Sequence, residues 1–354
     1  MAVAIRQLQP AFAPLEKQAA ARIPDPLRRQ LPALAAALRA TALPAGTRVG
    51  AMSAYHIGWT DADGRPRRDG GGKFLRGCLA LWAAERCGRG DDALPVAAAV
   101  EWIHNFTLVH DDIQDGDRER RHHPTVWAVW GQAQAINAGD GMHAVAYRAV
   151  LSGRDRPQAR LRAAAAINGA ILQVIEGQCL DLALEGQIDT TAATYLRLAR
   201  AKTGALIGAA LEAGALISGA DARRARQLRR AGVELGVAFQ IRDDWLGTWG
   251  DSEVTGKGCG GDLARRKLTY PVVVGQSRLR GAARRELRRL YTRSGGDEDR
   301  ILALLDEAGA ADAVTLELRR RSRSALQLVA ACGLADDAVA DFREIVEFIV
   351  ERAA

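Results

Sequence analysis

The sequence predicts an all-α protein, a single-domain bundle of ten or more helices. Three observations carry this. Ala, Leu and Arg dominate and aromatic residues make up only 5% of the chain; those three residue types lose little freedom on entering a helix. Apolar residues recur at the three- and four-residue spacing of a helix face almost throughout, and no run alternates with the period of two that marks a strand. Turn signals rich in Gly, Asp and Pro interrupt this periodicity. The 354 residues are enough for two domains by length alone, but no Pro- and Ser-rich linker divides them.

Taken in order, the periodicity predicts helices over residues 26–42, 72–88, 93–115, 125–152, 157–184, 190–218, 222–250, 268–292, 298–307, 310–332 and 335–352. The turn signals GTRVGAMS and DADGRPRRDGGG separate the first pair, and GRGDDALP the second. SGRDRP precedes 157–184, a polar break around Asp251 follows 222–250, and SGGDED precedes 298–307. Helices near 93–115 and 205–220 are apolar on most sides, which places them centrally. Residues 1–45 are expected to form a peripheral arm or helix, and 46–354 the main domain.

Composition narrows the function classes. No apolar run is expected to reach the roughly 18 residues of a membrane span. Arg6, Gln7 and Gln9 interrupt any signal-peptide core, so a cytoplasmic protein is expected. Five cysteines (Cys78, Cys87, Cys179, Cys259, Cys332) are scattered without a CxxC pair, which argues against a disulfide framework or zinc site. The net charge of +7 suits an anionic partner. Much of it lies in the stretches RLRGAARRELRRL (278–290) and LRRRSRSAL (318–326), read as solvated helix faces. No aromatic residues interleave with them as single-strand binding requires, so no nucleic-acid partner is expected.

The stretch HNFTLVHDDIQDGDRERR (104–121) turns from apolar to charged within one helix. Asp111 and Asp115, four apart, share one face and repel; Asp112 points aside. Such a pair suits a hard divalent cation, and Mg²⁺ takes one or two carboxylates plus phosphate oxygens. VAFQIRDDWLGTWGD (237–251) repeats the device, ending in Asp243 and Asp244. Basic residues near Gly-rich turns or helix ends complement them: Lys73 and Arg76 in GGGKFLRG, Arg118, Arg120 and Arg121 in RERR, Lys202 with Thr203 in AKTG, and Lys257 and Lys267 in TGKGCGGDLARRK. Charge of both signs on an apolar bundle points to a polyphosphate head with an apolar tail.

Together these motifs resemble the trans-isoprenyl diphosphate synthase family (polyprenyl synthetases), and most resemble its short-chain geranylgeranyl and farnesyl members. GGKFLRG is similar to the family's GGKRxRP, HDDIQD to its first aspartate-rich motif, and RERRHHPTVW to the segment that follows. AINAGDGM fits its Gly-Asp turn, EGQCLD its GQxxD, and AKTG its Lys-Thr element; FQIRDDWLG with GKGCGGDLARRKLTYP resembles the second aspartate-rich motif. The resemblance implies a bundle around a deep central cavity, a homodimer, three Mg²⁺ ions, and two substrates, isopentenyl diphosphate and an allylic diphosphate. It implies that Asp111, Asp115 and Asp243 hold metal, with Asp112 and Asp244 as near partners. Arg120, Lys202, Thr203, Gln240, Lys257 and Lys267 are implied to hold the allylic diphosphate or the charge around it. Lys73, Arg76, His104 and Arg121 are implied to hold isopentenyl diphosphate. Gln178 and Asp181 orient metal waters and the lysine.

Several positions depart from the family. Phe74 replaces an arginine, Gly77 a proline and Gly247 the last aspartate of the second motif, with Asp251 a candidate substitute; His122 and His123 stand where Gly and a variable residue are usual. Phe106 and Thr107, five and four residues before Asp111, lie one turn deeper on the helix, where a side chain can floor the pocket of the growing chain. One aromatic there suggests a C20 product, with C15 next. His104 also has a plainer reading, satisfied by Glu101 at i−3. A class I terpene cyclase and a non-catalytic subunit of a heteromeric synthase are the competing functions.

Overall fold

A computed structural model describes residues 23–67, 72–88, 90, 93–121, 123–152, 156–250, 261–292 and 296–351. The chain opens with α1 (Asp25–Arg28), α2 (Leu31–Thr41), α3 (Arg48–Ile57), α4 (Leu75–Cys87) and α5 (Leu94–Gln114). A two-stranded antiparallel ribbon follows, β1 (Glu119–Arg120) with β2 (His123–Pro124). Then come α6 (Val126–Trp130), α7 (Gln132–Leu151), α8 (Pro157–Leu184) and α9 (Ala192–Ala199). A π-helical turn at Arg200–Gly204 leads into α10 (Ala205–Ser218) and α11 (Ala222–Trp249). The remaining helices are α12 (Gly261–Ala264), α13 (Tyr270–Arg278), α14 (Gly281–Tyr291), α15 (Glu298–Glu307), α16 (Ala310–Ala330) and α17 (Asp336–Glu351).

The centre lies where apolar periodicity placed it. Every residue of α10 is buried, and α4, α8 and α11 pack around it, with α5 behind. The approach of α11 is backbone on backbone. A β-carbon on Gly232 would lie 2.7 Å from the Gly208 Cα, and one on Gly236 2.6 Å from the Gly204 Cα. Only glycine fits such a crossing, and it sets the depth at which Asp243 and Asp244 leave α11.

Several expectations change. GTRVGAMS, read as a turn, starts α3: Thr47 Oγ1 accepts from the Gly50 N–H at 3.1 Å, a helix cap rather than a loop. The predicted helix 125–152 breaks at Gly131, where φ is 84°. The predicted 268–292 helix splits at extended Leu279 and Arg280. Within the span expected as a peripheral arm or helix, residues 25–41 form α1 and α2: Leu34 and Leu38 are fully buried, and Trp102 Nε1 donates to Thr41 Oγ1 at 2.9 Å, tying α2 to α5.

One described helix, α8, is long and apolar enough by length and composition to cross a bilayer, against expectation, and half of its most apolar window is buried in the bundle. The Arg-rich stretch 318–326 is not wholly a solvated face either, since Arg321 is buried between Glu234 and Glu317. Cys78, Cys87, Cys179 and Cys332 are free thiols; Cys259 lies outside the described residues.

Candidate active site

The C-terminal end of α5 separates its aspartates by role. Asp112 is 1% exposed, and its Oδ1 accepts from Arg120 Nε and Nη2, both at 2.7 Å. Burial pushes its pKa up to about 6 against the pull of Arg120. Asp112 thus anchors Arg120 through Oδ1, while its buried Oδ2 has no partner among the described residues. Asp111 has no hydrogen-bond donor among the described residues, and burial raises its pKa against the pull of Lys202. Asp115 meets only Gln178 Nε2, at 3.4 Å, and Gln178 Oε1 is buried without a partner beside it.

The end of α11 repeats this division. Asp244 is 4% exposed; Gln240 Nε2 donates to its Oδ1 at 3.0 Å, while the Tyr270 N–H at 2.7 Å and the Tyr195 hydroxyl donate to Oδ2. Burial pushes the Asp244 pKa up to about 7. Asp244 is held as a fixed strut by these three donors, while Asp243, the residue before it, is only half-buried. Thr203 Oγ1 donates to Gln240 Oε1 at 2.6 Å, so Thr203, Gln240 and Asp244 form one chain of hydrogen bonds. Lys202 leaves the π-helical turn to meet Asp181 Oδ2 at 2.6 Å. A π-turn often marks a functional site, and Gly177 on α8 lets the Lys202 backbone lie against it.

Lys267 joins the two acidic ends. Burial lowers its pKa, but the carboxylates of Asp262, Asp181, Asp244 and Asp115 outweigh this and raise it. Among the described residues no three His, Cys, Asp or Glu side chains gather closely enough to hold an ion unaided. Hard oxygen donors on two helix ends, with an orphaned Gln178 oxygen beside Asp115, still fit a cation that completes its shell with water and substrate oxygens.

A cavity of about 400 Å³ adjoins this site, lined by Lys73, Phe74, Arg76, His104, Arg121 and Phe348 among others. Arg76 Nη1 lies 3.0 Å from His104 Nε2. Burial, then Arg76, Arg121 and Arg120, hold the His104 pKa well below its usual value, so the neutral ring accepts from Arg76. The neighbour that satisfies His104 is Arg76 rather than Glu101, which accepts from the Gly77 N–H at 2.7 Å. Arg121 sits at the ribbon turn with φ 53°, a strained value for a non-glycine residue. Its guanidinium lies across Gly72, where a β-carbon would approach Nη1 to 3.2 Å. Lys73 Nζ stands 5.8 Å from the Phe348 ring of α17.

The sequence profile of the polyprenyl synthetase family matches residues 67–308. The chain is a polyprenyl synthetase. It is 46% identical over 264 residues to a geranylgeranyl diphosphate synthase of Mycobacterium tuberculosis, covering 73% of this chain and 75% of the relative. It is 39% identical over 309 residues to a (2E,6E)-farnesyl diphosphate synthase of the same species, covering 85% of each. Among solved structures, a polyprenyl synthetase from Streptomyces coelicolor A3(2) aligns with a TM-score of 0.85 at 36% identity, covering 92% of this chain and 98% of that one. Its class is prenyltransferase, and members of the family act on isopentenyl and allylic diphosphates with divalent metal.

In this polyprenyl synthetase Phe106 is 9% exposed and packs edge-on against His110 and at a tilt against His143, with ring centroids at 4.9 and 5.2 Å. Thr107, at the helical spacing of Asp111, donates to the His104 carbonyl at 2.8 Å. His123 meets Arg67 on the exposed side of the ribbon. Lys257, Asp251 and His122 lie outside the described residues. Sequence reasoning missed Tyr195, Asp262 and Arg265, and the contact of Glu101 with Gly77. Tyr195 sits seven before Lys202 on the same helical run, the one signal that pointed to it; Glu101 and Asp262 make their contacts across the fold.

Proposed function

We propose that this polyprenyl synthetase condenses isopentenyl diphosphate head to tail with an allylic diphosphate, giving a C20 product, geranylgeranyl diphosphate, with C15 next. One observation carries the reading: Arg120 and Lys202 are each held by a carboxylate beside an acidic helix end, next to a cavity that gathers Lys73, Arg76, His104 and Arg121. The names of the two M. tuberculosis relatives, geranylgeranyl and farnesyl synthases, bracket the same product range.

Asp111, Asp115 and Asp243 would hold three Mg²⁺ ions, which supply the Lewis acidity that steadies charge on the departing diphosphate. Lys202, Arg120, Thr203, Gln240 and Lys267 surround that diphosphate, and the family resemblance adds Lys257, outside the described residues. Asp112 and Asp181 fix the first two of these, so positive charge is aimed before the bond breaks. Arg76 and Arg121 suit the planar, bidentate grip of a second diphosphate, and neutral His104 orients Arg76. The apolar walls of α5 and its neighbours exclude water from the allylic cation. C4 of the isopentenyl alkene then attacks C1, and the released diphosphate takes the final proton.

We also read the working unit as a homodimer. Leu161, Leu172, Ile175 and Leu182 on α8 are exposed, and with Ala165, Asn168 and Cys179 they form an exposed stripe at alternating four- and three-residue spacing. That is the seam of a packed helix pair. Ile136 and Leu151 extend it on α7.

The test incubates the pure protein with Mg²⁺, labelled isopentenyl diphosphate and C5, C10 or C15 allylic diphosphates, then sizes the products. Diphosphate release without incorporated label would point to a cyclase. Activity only after mixing with a second subunit would point to the partner reading. Asp111→Ala should lower turnover by orders of magnitude with unchanged circular dichroism, and near-normal turnover would overturn the metal assignment.

A further inference from the structure

Much of the net charge of +7 plays no part in the site described above. Some of it gathers where α11 and α16 lie side by side. The two helices run antiparallel: Glu234 meets Arg321 Nη1 at 2.8 Å, and Arg224 Nε donates to the Cys332 carbonyl at 3.2 Å, so one sequence rises as the other falls. On α11, Arg223, Arg226 and Arg230 are exposed at three- and four-residue spacing, which is one face of a helix. On α16, Leu316, Arg320, Arg323 and Gln327 form a second exposed stripe of the same kind, and Leu316 is 70% exposed. Between the helices runs a groove of about 370 Å³, with Arg226, Arg229 and Arg230 on its wall and Val233 and Leu328 supplying apolar ground.

The carboxylates of this face are already taken. Glu234 accepts from Arg200 and Arg321, Glu317 from Arg320 and Arg321, and Glu212 from Arg229. Arg226, Arg230 and Arg323 meet no carboxylate among the described residues. Their charge is open to an outside anion, and guanidinium suits phosphate. No aromatic residue stands in either stripe, so unpaired bases would have nothing to stack on. An exposed leucine and an apolar groove floor instead suit an anion with an apolar body. Arg230 lies thirteen residues before Asp243, about 20 Å along the helix, so a ligand there does not compete with substrate at the acidic end of α11.

We infer that this face docks the chain on an anionic phospholipid bilayer, with headgroup phosphates on Arg226, Arg230 and Arg323 and Leu316 entering the interface. The chemistry of the family supplies the reason. Short-chain prenyl diphosphates carry an anionic head on an apolar tail, and apolar chains partition into bilayers. A synthase resting on an acidic bilayer releases its product where the tail is soluble. The chain lies on the bilayer by this face and does not cross it. Vesicle binding is read without turnover, so the inference stands apart from the condensation reading and from product length.

The test mixes the full chain with vesicles of phosphatidylcholine alone, or of equal parts phosphatidylcholine and phosphatidylglycerol, and measures the fraction that sediments with lipid. The wild-type chain should sediment with the anionic vesicles only, and less as added salt screens the contact. Arg226→Gln and Arg323→Gln should each weaken binding about fivefold, and Arg226→Gln/Arg230→Gln/Arg323→Gln about 100-fold, the contribution of one and of three arginines at an acidic surface. A control, Arg285→Gln/Arg289→Gln/Arg343→Gln, removes the same charge from exposed positions on α14 and α17 and should keep its binding. Circular dichroism of both triple variants should match wild type, and the single variants carry the test if it does not. A wild-type chain that stays in solution beside anionic vesicles, or a control that loses binding as fully as the first triple variant, overturns the inference. Release from the vesicles by glycerol phosphate would make the groove a site for small free phosphates, and equal retention by duplex DNA would make the face a general polyanion surface; either result overturns it as well.

Discussion

Glu101 is 2% exposed, deeper than a carboxylate stays without partners. Burial raises its pKa, while the Gly77 N–H and then Arg76 and Arg121 pull it back. Gly77 is thus explained where the family has proline: its N–H is the donor, and a β-carbon there would lie 2.6 Å from Leu34 Cδ2. Restoring the family residue should do harm. Gly77→Pro removes a donor to a buried acceptor, a loss of about 1–3 kcal/mol, and adds overlap. The urea midpoint should fall accordingly, and a midpoint equal to wild type would refute the account. His56 gives a pH prediction of defined sign. Burial, then Arg120 and Arg121, hold its pKa down to about 3 from 6.5. The unfolded chain takes up this proton near pH 6.5, whereas the folded chain resists it until near pH 3. The folded state binds fewer protons across that window, so the stability linked to His56 is full above pH 6.5 and is lost as pH falls toward 3. His56→Gln should flatten that limb of a Tm-against-pH curve, and an unaltered slope would show that His56 is not the group responsible.

At the scale of elements, α5 carries the clearest division of labour. Asp111 and Asp115 form its acidic end, Thr107 lies beneath them, and Phe106 turns toward His143 of α7. Phe106→Ala opens the boundary between α5 and α7, and the product should lengthen by one or more C5 units on chromatographic sizing. An unchanged product would remove Phe106 as the floor. The ribbon is the second such element. Gly72→Ala would push on the Arg121 guanidinium, and KM for isopentenyl diphosphate should rise with little change in KM for the allylic partner. An equal rise in both would mean that Arg121 does not distinguish the sites. These elements also show what the sequence could convey. Helices such as α5, α8 and α11 repeat their apolar period over several turns, so their place was readable, as were the acidic ends they carry. The ribbon has two residues per strand, too few for any period. α3 was hidden because Thr47 and Gly50 read equally as turn or cap. The partners of Glu101 and Asp112 were invisible because a hydrogen bond to Gly77 or Arg120 depends on how segments meet, not on spacing within one.

At the scale of the molecule, the bundle satisfies one side of α8 and leaves the other open. Ala163, Ile167, Ala170, Ile171 and Val174 face inward and are buried, whereas Leu161, Leu172, Ile175 and Leu182 are 60, 63, 47 and 37% exposed. Fully burying one Leu or Ile side chain is worth about 1.5–3 kcal/mol, and in the proposed homodimer a two-fold axis would bury each of them twice. The same proposal accounts for the composition of α8, which is that of a membrane span although only half of its apolar window lies inside the protein: a second copy would cover the remaining half. Leu172→Asp with Ile175→Asp places two like charges from each subunit at the centre of that seam. Unpaired buried charge costs far more than the apolar contacts return, so light scattering on a sizing column should change from a dimer mass to a monomer mass. The monomer should melt at lower temperature, because mass action no longer favours the folded state. A double variant that remains dimeric at micromolar concentration would place the interface elsewhere, and α8 would then need another explanation for its exposed stripe.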